Sequence, residues 1–222
     1  MRSVSMAILL GTVLTCWAVP EAEWQYSVPV SEKERAYLWI PPACDRVRGL
    51  ILGDMTLLEY PVLHDPVIRQ AAPTSALAIV FFTPKCFPSF QYQEGADRRL
   101  LKALEDLAEV SGYAEIKQAP LLPLGCAVST PFAWYVGYWN PSRTIAIISL
   151  KGSPFQAPKV DPNATLAGVP SLHVTGEYCE WPGPEKARTK LVLANDRKRA
   201  LALRGQSEDR LFSFLVDVSH GQ

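Results

Sequence analysis

Few residues in this chain could do chemistry together at one place. Cys126, Ala127, Val128 and Ser129 follow an apolar run, Pro120 to Leu124, and precede Thr130 and Pro131. Glu177 and Glu180 come later, and His220 stands near the carboxyl end. A hydroxyl or thiol, then an acid, then a histidine is the set that attacks a carbonyl, orients an imidazole and moves a proton. Attack requires the nucleophile to be raised on a sharp corner between a strand and a helix, with small neighbours on both sides. The stretch APLLPLGCAVSTPFAW, Ala119 to Trp134, has that outline. An apolar run of strand length meets a turn of small residues, and helical spacing begins with Phe132, Trp134, Tyr135, Val136 and Tyr138. The residue at the corner is Ala127, whose methyl group cannot attack a carbonyl.

Two neighbours carry reactive atoms. Ser129 reaches the corner only if the strand runs two residues longer, and a serine just inside a helix commonly serves as a cap. Cys126 has the more nucleophilic atom but lies one residue before the tip, where side chains pack beneath the turn. A serine natively at position 127 is a third reading, since Gly-Cys-Ser-Val-Ser would also make an acceptable corner. Two further loops bear on a developing oxyanion. Backbone N–H groups at Asp54-Met55, after VRGLILG, would supply one half of an oxyanion hole, and the N–H of Val128 the other. Asp54-Met55 reads equally well as a plain turn. Glu177 or Glu180 would orient the histidine, and His220 follows the last strand candidate.

The elements that position these residues follow from patterning. Strands are expected at Ala36–Ile40, Val47–Gly53, Ala76–Thr83, Thr144–Leu150 and Val169–Thr175, with later candidates at Ala200–Leu203 and Leu211–Val218. Helices are expected at Pro66–Ala72, at Ala96–Ser111 with Gly112 ending it, after Pro131, and at Pro184–Ala194. Glu21–Glu34 reads as irregular or edge structure, and Pro84–Gly95 as a loop carrying Phe87, Phe90 and Tyr92. Those rings and Trp181 would suit an aryl or carbohydrate ester, or are ordinary packing. Central strands apolar on both faces, alternating with helices, mean a mostly parallel α/β sheet with helices on both faces.

The segments RAYLWIPP, RVRGLILGDMTLLEYPVL, PLLPLGCAVSTPFAWYVGYWNP and VPSLHVTGEYCEWPGPE resemble the α/β-hydrolase superfamily. The likeness is to secreted esterase-like members of the dienelactone-hydrolase and feruloyl-esterase type, and it runs from about Ala36 to the carboxyl end. In such relatives the corner reads G-x-S-x-G or G-H-S-A-G-G. Aligned from Gly125, the serine's place falls on Ala127, the histidine's on Cys126, the alanine's on Val128 and the two glycines' on Ser129 and Thr130. The acid's place falls near Cys179, with Glu180 the nearest substitute, and His220 is the histidine candidate. The resemblance also implies a final helix after that histidine, and the sequence reaches Gln222 before one. Two functions compete. One is a carboxylic-ester hydrolase using Ser129, or a serine at 127, with His220 and Glu180. The other is an impaired or inactive homologue that binds a small-molecule or carbohydrate ester in the old pocket.

Composition narrows the setting. The 222 residues, 48% hydrophobic, suit one domain with a sizeable core. With 22 basic and 22 acidic residues the net charge is zero, which gives no reason to expect nucleic acid as a partner. Arg2, the apolar Met6–Ala18 stretch and small residues at Cys16 and Ala18 read as a signal peptide over 1–18, with 19–222 the mature domain, secreted or periplasmic. Left uncut, the same segment would be the one route to a membrane. Cleavage leaves Cys44, Cys86, Cys126 and Cys179, enough for up to two disulfides, or some are buried thiols. Neither the cysteines nor His64, His173 and His220 have metal-ligand spacing, so no metal or other cofactor is expected. Asn163-Ala164-Thr165 is a glycosylation sequon.

Overall fold

The computed structural model describes residues 24–54, 59–83, 86–87, 90–152, 165–178, 186–205 and 211–221; of 59, 178, 186–194 and 219–221 it describes the backbone only. The signal segment, the sequon asparagine, Met55, Cys179, Glu180 and Trp181 lie outside the described residues.

Among the described residues eight strands form one sheet: β1 (Tyr26–Pro29), β2 (Arg35–Trp39), β3 (Gly49–Asp54), β4 (Leu77–Phe82), β5 (Leu121–Cys126), β6 (Ile147–Leu150), β7 (Ser171–Tyr178) and β8 (Phe212–Gly221). Their spatial order is β1-β2-β4-β3-β5-β6-β7-β8. β1 and β2 are antiparallel to their neighbours, and every pairing from β4 onward is parallel. Among the described residues five α-helices connect them: α1 (Glu59–His64), α2 (Pro66–Ala71), α3 (Ala96–Ser111), α4 (Thr130–Trp139) and α5 (Lys186–Arg204).

The two faces of the sheet are covered differently. Leu50, Leu52, Ala78, Val80, Phe82 and Leu121 lie on one face, because strand side chains alternate with period two. Helix α3 packs there through Leu100, Ala103, Leu104, Leu107 and Ala108, the i, i+3, i+4 spacing of a helical stripe. Burying each such leucine contributes about 1.5–3 kcal/mol. Ile51, Ile79, Phe81 and Trp39 point the opposite way, toward Leu63 of α1 and the Ala72 turn. Arg69 of α2 stacks its guanidinium on Trp24 and Trp39, which closes that cluster. A second core on the α3 side joins Ala133, Trp134 and Tyr138 of α4 with Ile147, Ala200 of α5 and Phe212.

Most expected elements are present, and three differ. Ala200–Leu203, read as a strand, lies inside α5, where Ala200 and Leu203 form a helical stripe against the sheet. Helix α1, Glu59–His64, lies in a stretch to which the sequence pattern assigned no element. Strand β7 extends through Gly176 and Glu177, and β8 through His220, so neither position is the loop the sequence suggested. The parallel ladder with β7 carries β8 outward: Gly221 still pairs with Tyr178, past a register shift near Gly176.

Candidate functional site

Ligands in parallel α/β sheets bind beyond the carboxyl ends of the strands. The corner after β5 is built there. Ala127 has a φ of +53°, a left-handed conformation that β5 and α4 impose between them. A single 3₁₀ turn, Ala127–Ser129, leads into α4, whose first turn takes Pro131 without losing a needed donor. Close backbone approach makes the turn tight. A Cβ on Gly125 would stand 2.5 Å from the Ser129 carbonyl oxygen and 2.8 Å from Thr130 Cα. One on Gly152, just after β6, would strike the Ala127 carbonyl and the Thr130 side chain.

Side-chain directions at the corner divide sharply. Val128 is 73% exposed and Ala127 half-buried, whereas Ser129 and Thr130 are buried. Ser129 Oγ accepts from the Cys126 N–H at 2.8 Å and donates to the Cys126 carbonyl at 2.9 Å. The Cys126 side chain in turn accepts from the Ser129 N–H, completing a reciprocal cap. Thr130 Oγ1 donates to the Ala127 carbonyl at 3.0 Å. Both hydroxyls therefore turn back under the corner, and what faces outward is a methyl and an isopropyl group.

The remaining candidates lie as follows. Asp54 is not in a loop: it ends β3, in register with Phe82, and is buried. The parallel ladder with β4 runs through Gly53 and Asp54, which overrides the turn propensity of that pair. Glu177 is exposed on β7. His220 is not brought near Ala127. One row of the sheet runs Cys126, Leu150, Val174, Leu215. Ala127 stands one residue past its member of that row; Gly221 is level with Tyr178, four residues past Val174, so after the register shift His220 stands about three positions past the row. Their offset from each other is ~7 Å along the strands, and three strand spacings add ~14 Å across them. The backbones are thus farther apart than a histidine side chain spans.

Cys44 and Cys86 are free thiols, so the disulfides the cysteine count allowed do not involve them. Burial pushes the Cys86 thiol up to about 11, which keeps it protonated and unreactive. Phe87 and Phe90 are packed in the core against Phe82 and Phe132 and do not line a rim. Among the described residues no three His, Cys, Asp or Glu side chains are placed to hold a metal ion. No described helix is long and apolar enough to cross a membrane.

A polar pair that the motif search missed lies deeper in the sheet. Ser149 Oγ and His173 Nδ1 are 2.9 Å apart, both fully buried, with His173 stacked on Phe214. Beside them Thr175 Oγ1 donates to Asp196 of α5 at 3.4 Å. The signal was present in Ser171, His173 and Thr175, whose alternate spacing marks one polar stripe on a strand face. Burial lowers the His173 pKa from 6.5 to about 4. The unfolded chain therefore takes up this proton first. Stability is full above 6.5, falls as the pH drops through that value, and stops falling near the folded value. We expect a loss of about 2 kcal/mol between about pH 7.5 and about pH 5, read by urea unfolding, and a flatter profile in His173→Gln.

No protein-family model and no curated protein matches the sequence. Solved structures do match the fold. The BES protein from Bacillus cereus superposes with a TM-score of 0.59 at 10% identity, over 100% of this chain and 93% of that one. The siderophore hydrolase EstB from Aspergillus nidulans gives 0.57 at 14%, over 98% and 91%. Dienelactone hydrolase from Anabaena variabilis gives 0.55 at 15%, over 90% and 88%. The chain has an α/β-hydrolase fold. It covers 51% of the length of two larger matches, a thermostable esterase and the enterobactin esterase FES from Shigella flexneri. In an α/β-hydrolase fold, the strand–turn–helix corner after β5 is where an exposed serine is displayed; here Ala127 occupies that backbone conformation.

Proposed function

We propose that this chain is a catalytically impaired or inactive homologue of a secreted carboxylic-ester hydrolase. Its role is to bind a small-molecule or carbohydrate ester at the carboxyl edge of the sheet. The observation that carries this reading is the corner itself. Its left-handed residue is Ala127, and the nearest hydroxyl, on Ser129, is held by the Cys126 backbone on the buried side. Loss of the nucleophile costs a serine hydrolase about a millionfold in turnover, leaving about 10³–10⁴ over water from the oxyanion hole and binding. Drift at several places together, Ala127, Cys179 and the positions of the corner glycines, fits a relaxed site better than a single lost atom.

The test is labelling with a fluorophosphonate probe, alongside hydrolysis of p-nitrophenyl acetate and butyrate. We expect no stoichiometric label and no burst of p-nitrophenol. Stoichiometric label on Ser129 would replace this reading with an active esterase using Ser129, His220 and Glu180. Export through the segment 1–18 belongs to the same proposal. It is checked by amino-terminal sequencing of protein recovered outside the cytoplasm, which should begin after Ala18.

A further inference from the structure

A cavity of about 610 Å³ opens at the amino ends of β3 and β5, the end of the sheet away from Ala127. Arg46 to Arg48, which lead into β3, form one wall, and Glu115, Gln118 and Pro120, which precede β5, form the other. Val47 is buried in the core, so alternation turns Arg46 and Arg48 the other way, both exposed and both lining the cavity. Their Cα atoms stand roughly 7 Å apart. Among the described residues neither guanidinium makes a hydrogen bond or an ion pair within the chain, whereas Lys102, Lys117 and Lys151 each hold a carboxylate. The one acid of the wall, half-buried Glu115, accepts from the Val47 N–H at 2.8 Å through one oxygen. Both walls are fixed from behind. Arg143 donates to the Ala119 carbonyl at 2.8 Å and to the Ile116 carbonyl at 3.3 Å. The Leu50 N–H donates to the Pro120 carbonyl at 2.8 Å, and the Tyr113 hydroxyl to the Cys44 carbonyl at 2.7 Å.

We propose that this cavity binds the phosphate monoester of a small polyol, such as a sugar phosphate, between Arg46, Arg48 and Glu115. Two guanidinium groups match the double negative charge of a phosphate monoester, and each can hold two of its oxygens at once. A carboxylate, with one charge and two oxygens, would leave one arginine unused. The opposite wall describes the rest of the ligand. Glu115 has a second carboxylate oxygen, which only accepts, and the Gln118 amide both donates and accepts, a pair suited to hydroxyl groups. The Glu115 charge also repels phosphate, which holds that group at the arginine end. The volume lies within the range of small-molecule sites and exceeds what phosphate alone would fill. Walls already tied to the backbone spare the ligand the entropic cost of ordering them. The site is separate from the corner at Ala127 and does not depend on the ester-binding reading.

Titration calorimetry on the whole chain, with glucose 6-phosphate and glycerol 3-phosphate as probes, should show saturable binding of one molecule per chain. Inorganic phosphate should bind at least about tenfold more weakly, and glucose not at all. Arg46→Gln and Arg48→Gln, both at exposed positions, should each weaken the phosphate esters by about tenfold. Arg98→Gln, on α3 and outside this cavity, should leave them unchanged. Glu115→Gln still accepts from the Val47 N–H; it should weaken glucose 6-phosphate and strengthen inorganic phosphate. Absence of saturable heat from both esters at about 10 mM would overturn the proposal. Equal losses in Arg98→Gln and Arg46→Gln would also overturn it, because the effect would then be diffuse charge. Equal affinity for inorganic phosphate and glucose 6-phosphate would do the same, leaving nothing for the second wall to recognise. Should Glu115→Gln fail to fold, the arginine variants and the comparison of esters with inorganic phosphate still decide.

Discussion

Replacing Ala127 with serine should not make this protein an esterase: we expect p-nitrophenyl butyrate turnover within about an order of magnitude of the unsubstituted chain. The substitution places an oxygen on the left-handed residue of the corner after β5, and it does nothing else. A hydroxyl attacks a carbonyl only when a base takes its proton, and in a serine hydrolase the loss of the base alone costs about as much as the loss of all three partners. His220, the candidate base, is carried on β8, three strands away from β5 and about three ladder positions past the row that contains Cys126. Steady-state rates for both proteins, with fluorophosphonate labelling of Ala127→Ser, check this. A gain of about a millionfold would show that a base stands ready, and would mean that only the nucleophile has been lost.

Replacing Gly125 with alanine should destabilise the protein by about 3 kcal/mol, the upper end of the range for overpacking. The new Cβ would meet the Ser129 carbonyl oxygen at 2.5 Å and Thr130 Cα at 2.8 Å. Both are backbone atoms at the start of α4, so no side chain can swing aside; the helix must move off the strand. Gly112→Ala is the control. That glycine ends α3 with φ at +78° and nothing within 4 Å of the added atom, so its cost is backbone strain alone, about 1 kcal/mol. Urea midpoints for the two variants separate the mechanisms. Equal losses would show that the approach of α4 to β5 is looser than the geometry implies.

Local pattern carried the fold a long way. Helix α3 spans the expected Ala96–Ser111, because one apolar stripe and a terminal glycine mark both its length and its end. Doubly apolar strands such as β4 were legible because a central parallel strand has no polar face. Ala200–Leu203 misled because a four-residue apolar run has no period of its own. The surrounding charged residues of α5, spaced to leave one side for Ala200 and Leu203, decide its conformation. Strand ends were the least legible. Asp54 and His220 were given to loops, yet the ladders with β4 and β7 extend the strands through them, and such pairing is tertiary information.

At the site, the sequence pointed to Ala127 as the corner, and the structure places the left-handed φ on that residue. What no motif expresses is the orientation of Ser129, which depends on a hydroxyl finding both backbone groups of Cys126 at once. The pair Ser149 and His173 was missed for a related reason. Its members lie on separate strands, and only the parallel register sets Ser149 beside His173.

The clasp between Ser129 and Cys126 has a consequence for any molecule that binds at the corner. A corner closed by its own hydroxyl and thiol is already in its final shape, so an incoming guest is spared the entropic cost of ordering it. Crystals grown empty and crystals soaked with an ester should superpose at these residues, and the Cys126 amide should exchange slowly with deuterium in both states.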